Sequence, residues 1–196
     1  MRMRLPRWVS ERTICRSGSK NAMFPPMTIV RVFGGSQRAN SGLRDVACAR
    51  RHGLMRVVFD TSVLVAAARS RDGASYALVS SIPSPQFEIS LSIGLYAEWQ
   101  DVLSRPEHLP PGQTSADALG FLRFLASQAR LQDIFFLWRP YLPDPDDDMI
   151  LELAFAANCR YIVTHNMKDF RGCQQLGVEA ITPREFLAIV TSTSAT

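Results

Sequence analysis

The sequence predicts an α/β protein, a three-layer α/β/α arrangement around a central parallel sheet. Three observations carry that expectation. From Met55 onward, short strand-like runs alternate with segments of helical periodicity. The runs Val57-Val58-Phe59 and Tyr161-Ile162-Val163 are apolar throughout, as buried strands require. Strands separated by helices favour a βαβ layout over an antiparallel one.

The elements follow in order. Arg56–Asp60 is a β-branched run and reads as the first strand. Val63–Ser70 and Ala74–Ile82 read as helices around Asp72-Gly73, and Pro83-Ser84-Pro85 ends the second. Phe87–Ser90 is a short strand. Ser92 can cap the next helix, which carries Leu95, Trp99, Val102 and Leu103 on one face. Pro106, Pro110 and Pro111 make the following loop. Ser115–Arg130 reads as a helix with Leu119, Leu122 and Phe124 among its apolar positions. Ile134–Trp138 is strand-like. Asp144-Pro145 starts the next helix, which runs through Met149 to Ala157. Tyr161–Thr164 and Ala180-Ile181 read as strands, and Pro183 opens the last helix, to Val190. The chain shows no internal repeat.

The 196 residues suit one domain with a proper core. The formal charge of +4 conceals an asymmetry. Residues 1–54 hold eleven Arg and Lys against Glu11 and Asp45, and the remainder holds eleven against sixteen acids. The excess of basic charge therefore belongs to the N-terminal segment and says nothing about nucleic-acid binding by the domain. Residues 1–54 mix Arg with Ser, Gly, Asn and Pro and lack periodicity, so we expect a basic, disordered extension there. Met55 directly precedes the first strand and is the expected true start, the rival being a basic arm that contacts RNA. Residues 55–190 form the expected domain and 191–196 a disordered tail. Cys15, Cys48, Cys159 and Cys173 show no paired short spacing, which excludes a zinc signature and points to a reducing, cytoplasmic compartment. No apolar run approaches the length of a membrane span.

The acids carry the chemistry. Asp60 ends the first strand, and ligands of parallel sheets gather outside the carboxyl ends of strands. Its alternative role is an N-cap for the helix that follows. Glu98 lies three residues after Leu95 and borders the buried stripe of its helix. Asp144, Asp146, Asp147 and Asp148 crowd one helix start, where capping and the helix dipole account for most of them. Asp147 shares a side with Ile150, Leu151 and Ala154, so it is the one expected to point inward, with Asp148 next. Asn166 and Asp169 follow a strand and supply oxygen donors, and His165 just before them suits a hydrogen-bonding role. Carboxylates that converge raise each other's pKa. A hard divalent cation relieves that repulsion, and oxygen-only ligands favour Mg²⁺ or Mn²⁺. The expected activity is that of a metal-dependent nuclease.

Val57-Val58-Phe59-Asp60-Thr61-Ser62-Val63-Leu64, Leu95–Leu103 around Glu98, Asp146–Ala154 and Tyr161–Phe170, taken in this order, resemble the PIN domain, the nuclease fold of VapC-type toxins. The resemblance runs from Met55 to about Val190. The Leu103-Ser104-Arg105-Pro106 ending of the Glu98 helix is similar to the branch grouped with toxin components. The resemblance implies an endonuclease of single-stranded RNA that uses Mg²⁺ or Mn²⁺. It makes Asp60, Glu98 and Asp147 the catalytic acids and metal ligands, the fourth place being open between Asp169 as a further ligand and Asn166 holding a water. Thr61, Ser62, Asp148 and Asn166 take supporting roles. Ser62 stands where many relatives have Asn, and Asn166 where many have a fourth Asp. Arg69, Arg71, Arg105 and Arg171 are candidates for salt-sensitive phosphate contacts. A cognate antitoxin and a homodimer are the implied protein partners, with Phe121–Tyr141 as a candidate contact surface. The alternative is a catalytically inactive PIN-like module that binds RNA or protein. A HAD-like phosphatase fits less well, because Ser62 occupies the second position of its Asp-x-Asp pattern.

Overall fold

Five strands pair in parallel in the order β3-β2-β1-β4-β5. They are β1 (Met55–Phe59), β2 (Phe87–Leu91), β3 (Arg130–Leu131), β4 (Tyr161–Val163) and β5 (Glu179–Ile181). The helices are α1 (Thr61–Arg69), α2 (Ala74–Ser80), α3 (Ile93–Leu103), α4 (Ser115–Gln128), α5 (Asp148–Ala156) and α6 (Pro183–Thr193). The computed structural model describes residues 54–135 and 139–193. The expectations for residues 1–53 lie outside the described residues, and α6 continues past Val190 to Thr193.

Register explains the layers. Val57 lies opposite both Ile89 and Tyr161, so Val57, Phe59, Phe87, Ile89 and Tyr161 share one face. That face packs against α6: Phe186 meets Phe59, Phe87 and Tyr161 at centroid distances of 6.3, 5.3 and 5.9 Å. Arg56, Val58, Ser90 and Ile162 point the other way, toward α5. There Arg56 Nη1 donates to the Ala157 carbonyl (2.8 Å) and the Cys159 thiol to Ser90 Oγ (3.3 Å). With apolar side chains covered on both faces, β1 and β4 are buried through Val57–Phe59 and Tyr161–Val163. The three-layer expectation holds.

Most local expectations hold within two residues, the usual scatter of element ends. Ser92 caps α3, its Oγ accepting from the Leu95 amide at 3.2 Å. Two elements differ. The expected strand Ile134–Trp138 is not the one in the sheet. The slot beside β2 is taken by Arg130–Leu131, in register with Ser90 and Leu91. Ile134 and Phe135 follow in irregular structure, and residues 136–138 lie outside the described residues. The chain leaves α4 at Gln128 and enters the sheet at once, so the nearer residues fill the slot. Apolarity marks a strand former but does not choose which residues pair. Second, Asp144 is not the cap of α5. Asp144 Oδ1 accepts from the Asp146 amide (3.0 Å), which makes a turn, and α5 begins at Asp148.

Among the described residues, no helix is long and apolar enough to cross a membrane.

Candidate functional site

The chain leaves β1 outward through β2 and β3, then returns to the other side of β1 for β4 and β5. The crevice between the ends of β1 and β4 is therefore the topological switch point of the sheet. Asp60 follows β1 there, and Thr164 follows β4. The Asp60 amide donates to the Val163 carbonyl (3.0 Å), which binds the two strand ends together.

Asp60 occupies the N-cap position of α1 but its carboxylate caps nothing. Instead its Oδ2 accepts two hydroxyls, from Ser62 at 2.5 Å and from Thr164 at 2.6 Å. No described residue donates to Oδ1. Thr164 is 0% exposed and also accepts the Asn166 amide on its Oγ1 (2.8 Å). Ser62 Oγ likewise accepts the His165 amide (3.2 Å). The two hydroxyls thus fix Asp60 and the loop after β4 together. The sequence reading missed Thr164, whose one signal was a hydroxyl at the end of an apolar strand.

Thr61 points its hydroxyl across to α3 and donates to Glu98 Oε1 at 2.5 Å. Neither Thr61 nor Ser62 is spent on capping; both hold acids. Burial lifts the Glu98 carboxyl above its usual range, the charges of Asp60 and Asp146 add to this, and the Thr61 bond opposes it.

The four acids before α5 separate sharply. Asp148 is 1% exposed and accepts the backbone amides of Leu142 (2.8 Å) and Tyr141 (3.0 Å). Its carboxylate secures the preceding loop, away from the role expected for a supporting site residue. Asp147 makes no capping bond. Its pKa is pushed up to about 7, by burial first and then by the charges of Asp60, Asp169, Asp144 and Glu98. Asp60, Glu98 and Asp169 therefore lie within electrostatic reach of Asp147, and Asp60 within reach of Glu98. No ion pair among the described residues reaches any of the four.

Around them, Asp169 is half-buried and within electrostatic reach of Asp147, whereas Asn166 is exposed. His165 places its Nε2 2.9 Å from Ser75 Oγ on α2, which is the hydrogen-bonding role expected of it. Arg105, just past the end of α3, is paired with Asp101 of that helix, and Arg171 is exposed. Arg69 lies at the far end of α1 from Asp60.

A family model described as the PIN domain matches residues 56–168. The chain belongs to the PIN domain family. No curated protein matches it. PIN domains are in general nucleases that use divalent metal ions and bind RNA, which makes this chain a hydrolase at the coarse level. The side chains here suit such an ion. Hard oxygen donors gather without an ion-pair partner among the described residues, and Asp60, Glu98 and Asp147 each keep an oxygen free of hydrogen bonds from described residues. No three His, Cys, Asp or Glu side chains among the described residues already stand at ligating positions. Mg²⁺ itself takes only one or two carboxylates directly and keeps several waters, so a tight all-protein cage is not required of this PIN domain.

Proposed function

We propose that residues 55–190 act as a metal-dependent endoribonuclease on single-stranded RNA. Asp60, Glu98, Asp147 and Asp169 would hold Mg²⁺ or Mn²⁺. When bound, such a cation lowers the pKa of a coordinated water and balances charge developing on the scissile phosphate. The chain's own residues prepare the site. Ser62 and Thr164 hold Asp60 by one oxygen and leave the other without a hydrogen bond from any described residue. Thr61 orients Glu98 in the same way. Asp147, whose carboxyl is pushed up to about 7 by burial and its acidic neighbours, would hold the cation as a carboxylate. The observation that supports this reading most is Asp60, a buried carboxylate that neither caps its helix nor pairs with a base.

The test compares wild type with Asp60→Asn on single-stranded RNA and Mg²⁺. Cleavage should be lost in the variant, and equal cleavage by both would remove Asp60 from the mechanism. Asn166 in place of a fourth acid supports a second reading, a binding module without catalysis. Calorimetry with Mg²⁺ and Mn²⁺ separates the two, because an inert site would take up neither appreciably.

The biological role we infer is that of a toxin held by a cognate antitoxin in the cytoplasm. The buried free thiols Cys159 and Cys173 suit a reducing compartment. Within the candidate contact segment Phe121–Tyr141, Phe121 and Phe124 pack on the core, whereas Leu131 and Phe135 are exposed. Together with Ile93 (83% exposed), Leu131 (72%) and Phe135 (86%) would offer the apolar surface for an antitoxin or a second copy. Induced expression should arrest growth and fragment RNA, and Asp60→Asn should do neither. Growth arrest by that variant would sink the toxin role.

A further inference from the structure

Helix α1 and the segment that starts with α3 run side by side, cross-linked at two points. At one end Thr61 donates to Glu98. At the other, Arg69 Nη2 lies 3.2 Å from His108 Nδ1, in the 3₁₀ turn Pro106–His108. The first link belongs to the nuclease site. The second lines a cleft of about 420 Å³, bordered by Arg69, Arg71, His108, Glu107, Leu109 and Pro110. That volume is within the range of small-ligand sites, about 300–1,000 Å³.

The polar chemistry of the cleft is that of an anion site. Arginine has no acceptor, so His108 Nδ1 accepts and the ring proton sits on Nε2, leaving a second donor. No acid among the described residues pairs with Arg69. The carboxylate of Glu107 works against an anion at its own wall, which directs a ligand to the Arg69–His108 side. Leu109, Pro110 and Ala68 give the cleft an apolar wall against which a sugar or base can lie.

Arg69 follows Thr61 by eight residues in one helix, a separation of about 12 Å. We propose that this cleft binds a backbone phosphate of the RNA substrate, about two to four nucleotides along the strand from the scissile bond, depending on how far the strand is stacked. The inference rests on the ribonuclease reading and adds a remote subsite to it. It makes the enzyme prefer strands long enough to reach both places. The competing role for Arg69 is structural: a cation at a helix C-terminus favours the dipole, and this affects stability alone.

The experiment uses the full chain with a single-stranded hexaribonucleotide and a dinucleotide. Binding is measured in EDTA across a salt series, and cleavage separately in Mg²⁺. Arg69→Ala and His108→Ala should each weaken hexamer binding, Arg69→Ala by roughly tenfold. The slope of log K against log salt should fall by about 0.7 for the phosphate lost. In cleavage, KM for the hexamer should rise while kcat stays near wild type, and the dinucleotide should be unaffected. Arg123→Ala, an exposed arginine of α4, should leave the slope unchanged. Overturning results are an unchanged slope in Arg69→Ala, an equal loss on the dinucleotide, or an equal loss in Arg123→Ala. If wild type cuts RNA and Arg69→Ala keeps its KM, this inference alone fails. If wild type neither binds nor cuts RNA, the ribonuclease reading fails with it.

Discussion

Asp60 Oδ2 receives two hydroxyls while Oδ1 receives none from any described residue, and this asymmetry decides how the carboxylate can be used. A ligand held by one oxygen is oriented before the cation arrives. Thr164→Val should therefore lower Mg²⁺-dependent cleavage by about 10–100-fold, the usual cost of losing a group that orients a ligand. Thr164→Ser should restore most of it. Rates of the three proteins at saturating Mg²⁺ check this. Asp147 makes a second prediction. Its folded pKa is raised from 3.8 to about 7, so its contribution to stability is present in full below the unfolded value and fades as pH rises through about 7. Without metal, wild type should lose stability relative to Asp147→Asn between pH 4 and 8. The loss should be about 1 kcal/mol once solvent screening at this half-exposed group is allowed for. Urea melts in EDTA at several pH values measure it, and parallel pH profiles for the two proteins would refute the assignment. Sequence pattern named Asp60 and Asp147 because each adjoins an apolar element. It passed over Thr164, because its partner Asp60 is 104 positions away in the chain.

At the scale of elements, the start of α5 shows how one turn separates neighbours. Asp147 and Asp148 are adjacent, yet successive helical positions point about 100° apart. One carboxylate stands within electrostatic reach of Asp60, Glu98 and Asp169, and the other ties down Tyr141 and Leu142. Asp148→Ala should destabilise the fold by about 2–4 kcal/mol, since it strands two amides, one of them buried. Asp147→Ala should be neutral or stabilising in the absence of metal. Denaturant melts of both variants decide between these outcomes. The amphipathic helices and their caps were legible, because propensity, periodicity and capping residues are local. The strand at Arg130–Leu131 was not. A two-residue strand leaves no periodic signal, and its place is set by the free edge of β2.

For the whole molecule, the order β3-β2-β1-β4-β5 puts the ends of β1 and β4 side by side and gathers acids from β1, α3, α5 and the loop after β4 at one crevice. Divalent metal should couple to stability through that crevice. At a hundredfold excess over its Kd, Mg²⁺ should add about 2.7 kcal/mol. EDTA should remove the gain, and Asp60→Asn should show less of it in thermal melts. The sequence by itself determined the fold class, the order of the elements and the positions of the acids, because hydrophobic period and turn chemistry act over a few residues. Only the tertiary structure decided which oxygens are held, that Asp148 is spent on the amides of Tyr141 and Leu142, and which residues close the sheet edge. Those outcomes depend on contacts between segments far apart in the chain, and no local pattern encodes the angle at which they meet.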